Sequence, residues 1–157
     1  MEIRFAREGD IPKIIDLLYQ VGQVHYDLRP DIFRPVTLKY DEGDILKIMQ
    51  DENRPIFIAA EGDTVLGFGF CIIKAIRDHS VVQDMTEFYI DDLCIDETCR
   101  SQGIGEALYR HIYAYAKERR YRAVTLNVWS CNVRALKFYE RLGLQPQRLY
   151  MEAVIGE

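Results

Sequence analysis

The sequence predicts an α+β or α/β sandwich, a mixed sheet with helices on its faces. Three observations carry this. Strand and helix patterns follow one another in the order strand, two helices, three strands, helix, strand, helix, strand. The three central strands sit close together, two of them joined by the turn signal Glu61-Gly62-Asp63. The stretch YIDDLCIDETCRSQGIGEAL, Tyr89 to Leu108, passes from an apolar strand through a glycine turn straight into a helix.

Taken in order, Glu2 to Arg7 alternates Ile3 and Phe5 with charged residues, a half-buried strand. Asp10 and Pro12 signal a helix start, and Ile11, Ile14, Ile15, Leu18 and Val21 share one helical face. From Val24 to Pro35 the periodicity dissolves into an ordered loop. Asp41 to Gln50 is a shorter helix carrying Ile45, Ile48 and Met49. Ile56–Ala60, Thr64–Ile76 and Thr86–Ile95 are strands, with Gly67 and Gly69 marking a bulge or a close neighbour. Ile104, Ala107, Leu108, His111, Ile112, Tyr115 and Ala116 keep helical spacing. Ala123–Val128 is a strand. Asn132 caps a helix that Gly143 ends, and Arg148–Ile155 is a last strand. With no repeat or linker, residues 1–157 read as one domain.

Composition narrows the function classes. Hydrophobic residues at 48% and charged residues at 29% fit a globular protein. A net charge of −5 argues against nucleic acid as a partner. The basic run Lys117 to Arg122 suits a helix C-terminus. The four cysteines form no CxxC pair and no zinc spacing with histidine, so no metal is expected. The start MEIRFAREGD lacks a signal-peptide core and no run is long enough to span a membrane, so a cytoplasmic protein is expected.

The chemistry concentrates at Arg100-Ser101-Gln102-Gly103-Ile104-Gly105. A helix beginning there directs bare N–H groups toward an anion. A dinucleotide fingerprint fits poorly, because Leu108 stands at its third glycine position and the strand comes late. A Walker A loop is excluded, since Glu106-Ala107 follow Gly105 where Lys and Ser/Thr are required. An ordinary glycine-containing helix start remains open on two glycines alone.

Arg-x-x-Gly-x-Gly after a strand resembles the acyl-CoA signature of the GNAT superfamily of N-acetyltransferases. A second block, Asn132 to Gly143, is similar to the family's N-x-x-A-x-x-F/Y-Y-x-x-x-G-F segment, with Leu144 in place of the usual aromatic. The resemblance covers most of the chain, from about Ile3 to Val154. It implies the GNAT fold, a mixed, mostly antiparallel sheet flanked by helices on both faces, and acetyl-CoA as co-substrate. Leu93, Cys94 and Ile95 would pair with the pantetheine arm through their backbone. Arg100, Ser101, Gln102, Gly103, Ile104, Gly105 and Glu106 would hold the pyrophosphate, and Asn132 would reach the pantetheine. Tyr139 would lie near the sulfur and protonate the leaving thiolate. The implied reaction is direct acetyl transfer to a primary amine of a small molecule, by a protein that the family's habits allow to be a homodimer.

An alkylammonium acceptor must lose a proton, often through water, and the candidates to take it are carboxylates on the Thr86–Ile95 strand, unless Asp91 and Asp92 only cap or orient nearby loops. Strict alternation puts Glu87, Tyr89 and Asp91 on one face and Asp92 on the other, unless a bulge intervenes. The family often keeps a glutamate where Tyr89 stands, and its polyamine-acetylating members carry an acid where Asp91 stands. Asp91 is therefore the leading candidate and Glu87 the second. His25, Tyr26, Arg29, Phe33 and Tyr89 are candidates for binding the acceptor. Asp84, Glu87 and Asp91 favour a cationic acceptor, whereas Arg29 and Arg34 suit an anionic group or simply pair with Asp27 and Asp31. Two other functions stay open: acetylation of a peptide or protein amine, and a non-catalytic acyl-CoA-binding regulatory module.

Overall fold

A computed structural model describes residues 1–35 and 38–156. It contains two compact units, Met1–Asn127 and Val128–Glu157. The single domain expected over 1–157 includes Val36, Thr37 and Glu157, which lie outside the described residues.

The first unit holds β1 (Glu2–Phe5), α1 (Ile11–Leu28), α2 (Glu42–Met49), β2 (Ile56–Glu61), β3 (Thr64–Ile76), β4 (Met85–Ile95), α3 (Ile104–Glu118) and β5 (Ala123–Leu126). They form one five-stranded sheet in the order β1-β2-β3-β4-β5. The first four strands are antiparallel, and β5 joins β4 in parallel after the α3 crossover. The expected mixed sheet is present.

Alternation along the strands sorts the core into two layers. Ile56, Ile58, Ala60, Val65, Phe68, Phe70 and Cys94 pack with Ile11, Ile14, Leu17 and Leu18 of α1 and Ile45 and Ile48 of α2. On the opposite face Phe57 meets His111 and Tyr115 of α3, and Phe88 stacks on Tyr115 at 5.3 Å. Close approach makes Gly67 obligatory: a Cβ there would lie 2.6 Å from the Cys94 carbonyl oxygen.

Several expectations are corrected. Helix α1 continues through Val24–Leu28, which had been expected to be irregular. Val21, Val24 and Leu28 prolong its spacing, and Arg29, one residue before Pro30, is its non-helical cap. The Asp10 side chain does not cap α1. It accepts two bonds from the Arg4 guanidinium at 2.7 and 2.9 Å and one from the Arg7 N–H at 2.7 Å. A nearly buried carboxylate is best satisfied by such a charged fork. β5 ends at Leu126, short of Val128.

The second unit contains α4 (Val133–Arg141). The Asn132 side chain caps it by accepting the Ala135 N–H at 3.1 Å. The Gly143 N–H bonds the Glu140 carbonyl and the Leu144 N–H bonds that of Tyr139, the paired closure of a Schellman end. Residues 145–156 carry no helix or strand, so the strand expected at Arg148–Ile155 does not form. A strand requires a neighbour for its backbone groups, and no strand pairs with this segment among the described residues.

Candidate active site

The site is built on an irregularity in β4. Phe70 of β3 pairs with Asp92 and Cys71 pairs with Ile90, leaving Asp91 as the extra residue of a bulge. Before the bulge, Phe88 faces α3; after it, the Cys94 thiol lies 3.6 Å from the Leu17 carbonyl of α1. The bulge therefore breaks strict alternation and brings both carboxylates to one cation. Lys39 Nζ lies 3.0 Å from Asp91 and 2.7 Å from Asp92. The Tyr40 hydroxyl donates to Asp91 at 2.7 Å and accepts from Arg54 at 3.0 Å. Its ring stacks on Phe70 at 5.4 Å, which anchors this segment to the sheet.

Burial raises the Asp92 carboxyl above the usual carboxylate range, against the pull of Lys39. Burial opposes the charge on Lys39 too, but Asp92 and Asp91 outweigh it and hold its ammonium charged well above the ordinary lysine range. Burial lowers His25, although Asp92 pulls the other way. Tyr40 and Tyr89 are both raised, chiefly by burial.

His25 stacks on Phe33 at 5.0 Å, so two of the acceptor candidates meet. Arg29 forks onto Asp31, one of its two expected partners. Tyr26 is half-buried on the last turns of α1. The Tyr89 hydroxyl accepts from Asn127 at 3.1 Å, and Lys74 Nζ stands 3.4 Å above its ring. Glu87, the second base candidate, pairs with Arg122 at 3.1 Å. Lys39, Tyr40 and Arg54 were not singled out from the sequence. Tyr40 and Lys39 lie 51 and 53 residues from their carboxylates and carry no local motif.

On its other side, β4 pairs with β5 only from Glu87 to Ile90. Among the described residues no strand covers that edge over 91–95, which includes Leu93, Cys94 and Ile95. The Cys94 thiol is turned into the core and burial pushes it up to about 12, which leaves only its backbone to serve this edge. Arg100 Nε donates to the Ile95 carbonyl at 3.0 Å and holds the loop against the strand. Asp96 pins the same loop through Lys13 and through the Thr98 N–H and hydroxyl. Lys13 and Thr98 hold the Asp96 carboxyl well below the usual range.

Ser101 has φ +65° and Gly103 φ +80°, so the chain doubles back before entering α3. Gly103 stands at the helix N-cap, and no side chain caps this end. The first-turn N–H groups, those of Ile104, Gly105 and Glu106, have no intrahelical acceptor. A Cβ on Gly103 would meet no atom within 4 Å, so the space over the turn is open. Glu106 is drawn to Arg110 at 2.7 Å, one turn along the helix. An open helix N-terminus with paired-off acid fits a diphosphate.

In the second unit, Asn132 is occupied as the α4 cap and Tyr139 is half-buried on α4. Among the described residues there is no group of three or more His, Cys, Asp or Glu that could hold a metal, and no helix long and apolar enough to cross a membrane.

A helix-flanked mixed sheet, a bulged β4 and an uncapped glycine turn into α3 make up the α/β architecture that holds the candidate site. Residues 23–144 match the model of the acetyltransferase (GNAT) family, and the chain belongs to that family. It is similar to the crystal structure of a mutant BH1408 protein from Bacillus halodurans, at 29% identity and TM-score 0.94 over 99% of each chain. It shares 30% identity over 81 residues, 49% of this chain and 51% of the relative, with the uncharacterized protein YxbD of Bacillus subtilis. It shares 29% over 102 residues, 65% of this chain and 44% of the relative, with the uncharacterized N-acetyltransferase MJ1207 of Methanocaldococcus jannaschii. The matches thus span about half the length of these curated relatives. The fold alone is shared, at 20% identity and TM-score 0.71 over 99% and 96% of the chains, with an aminoglycoside acetyltransferase from an uncultured soil metagenomic sample.

Proposed function

We propose that this protein is an acetyl-CoA-dependent N-acetyltransferase that moves the acetyl group directly to a primary amine of a small molecule. The observation that carries the proposal is the uncapped α3 N-terminus at Gly103 beside the uncovered β4 edge, in a chain of this family. Bound acetyl-CoA supplies the thioester. The N–H groups from Gly103 to Glu106 hold its diphosphate, and the backbone of Leu93 to Ile95 aligns the pantetheine. Tyr139 donates a proton to the departing thiolate, and Asn132 adds a contact to the pantetheine.

The acceptor arrives mainly as an ammonium, since an alkylamine of pKa about 10 is only about 0.1% neutral at pH 7. Asp91 takes its proton through water, with Tyr40 and Lys39 fixing the carboxylate. Glu87 is the alternative acceptor of that proton. His25, Tyr26, Arg29, Phe33 and Tyr89 form the acceptor wall.

The test is acetyl transfer across a panel of amines, amino acids and peptides, repeated with Tyr139→Phe and with Asp91→Asn and Glu87→Gln separately. Transfer to small amines that falls at least tenfold in Tyr139→Phe supports the reading. One observation favours a second reading, a non-catalytic acyl-CoA-binding module: the Asp91 carboxylate is already engaged by Lys39 and Tyr40. CoA binding with no transfer to any acceptor would establish that module instead.

A further inference from the structure

We propose that the acceptor is an amine whose second charged group is an anion, selected by Lys39 and Lys74, which occupy the places along β4 that a second ammonium would need. This rests on the proposed function and names the substrate class of that same site.

A second ammonium would be received by a carboxylate or by the face of an aromatic ring. Along β4 these are Glu87, Asp91 and Asp92 and the Tyr89 ring. Each is already taken. Lys39 Nζ spans Asp91 and Asp92 at 3.0 and 2.7 Å. Arg122 pairs with Glu87 at 3.1 Å. Lys74, opposite Glu87 in the register of β3 and β4, lays its Nζ 3.4 Å over the Tyr89 ring. The Tyr40 ring, bonded to Asp91 through its hydroxyl, has Lys39 Nζ and the Arg54 guanidinium each 5.4 Å from its centre. Asp84, ahead of the strand, accepts the Asp78 N–H and is exposed, where water and salt screen its charge.

The two lysines differ in weight. Asp91 and Asp92 are only 14% and 9% exposed, so their pull on a cation is poorly screened, and Lys39 meets it from within the chain. The Lys39 ammonium has a donor beyond the two those acids receive, and 44% of its side chain is exposed to an incoming anion. Lys74 is exposed and guards the Tyr89 face. Together Lys39, Arg54, Lys74 and Arg122 outnumber Glu87, Asp91 and Asp92, so the strip repels a further cation and draws an anion. All of them lie in the first unit. Acids that the sequence read as favouring a cationic acceptor are neutralised before one arrives. Asp91 still meets the reacting amine through water, so only the remainder of the acceptor is selected.

The test compares acceptors that differ only at the far end: pentylamine, its diamine cadaverine, and aminopentanoate with the amine on the terminal carbon. In wild type, kcat/KM is expected to be highest for aminopentanoate and lowest for cadaverine, about tenfold apart or more. Lys39→Met is expected to reverse that order, and Lys39→Arg, which keeps the cation, to preserve it. Lys74→Met, at an exposed position, should narrow the gap by about threefold. A wild type that prefers cadaverine, or an order and gap that Lys39→Met and Lys74→Met both leave unchanged, would overturn the inference. Should Lys39→Met not fold, an unchanged gap in Lys74→Met overturns it alone. If no acceptor is acetylated, the proposed function fails, and calorimetry with the same compounds still decides the charge preference: cadaverine binding wild type at least as tightly as aminopentanoate overturns it.

Discussion

At the α3 turn the polar groups are backbone N–H donors from consecutive residues, whereas at the β4 bulge they are side chains gathered from distant segments. The turn needs only Gly103 at φ +80° and a helix that begins at once. The bulge needs Lys39, Tyr40 and Arg54 brought onto Asp91 and Asp92. The helix caps sharpen the contrast. Asp41 closes the start of α2 and Asn132 closes that of α4 with their own side chains, while α3 is left open. Helix α1 also starts without a side-chain cap, so the α3 end is set apart by its glycine turn together with the missing cap.

The comparison can be broken at either end. Gly103→Asp places an anion over the turn and forces a non-glycine residue into the left-handed region, a strain of about 1–2 kcal/mol. CoA affinity, read by calorimetry, is expected to fall at least a hundredfold, and unchanged affinity would remove the turn from the site. Lys39→Met leaves two carboxylates without their shared cation. Its Nζ end is partly exposed, so the expected loss lies between the exposed and buried limits, about 1–3 kcal/mol in urea denaturation. CoA affinity should stay unchanged, because the cluster lies on different segments from the turn.

Acid should expose a different pair of groups. Asp10, held down chiefly by Arg4, and Asp96, held down chiefly by Lys13, have folded pKa values below the ordinary ones. Their stabilisation is complete above about pH 4 and is lost as pH falls through the lowered values. Asp96→Asn should flatten the low-pH decline seen in thermal melts. Asp92 has the opposite sign: its pKa is raised, so ionisation weakens the fold as pH rises through that value. Tyr40→Phe keeps the ring on Phe70 but removes the hydroxyl bonded to Asp91 and Arg54, an expected loss of about 1 kcal/mol. Glu106→Gln should be the mildest change, within about 0.5 kcal/mol, since its pair with Arg110 is exposed.

The α3 turn was readable because its chemistry is contiguous. Arg100 to Glu106 supply a turn and a helix start within seven residues, and the Asn132 cap and Gly143 closure were equally local. The β4 bulge was only partly readable. Asp91 and Glu87 could be named as carboxylates on a strand, but their cations could not, since Lys39 and Arg122 are far away in sequence. Val24–Leu28 was misread because mixed polar and aromatic residues hid a helical period that runs on through Val24 and Leu28.

The sequence by itself determined the element order from β1 to α4, the glycine turn into α3 and the Asn132 cap of α4, because each depends on backbone preferences within a few residues. Only the tertiary structure decided which way Asp91 and Asp92 face. One extra residue in β4 against β3 reverses the alternation, and that register is set by pairing between strands, which no single strand encodes.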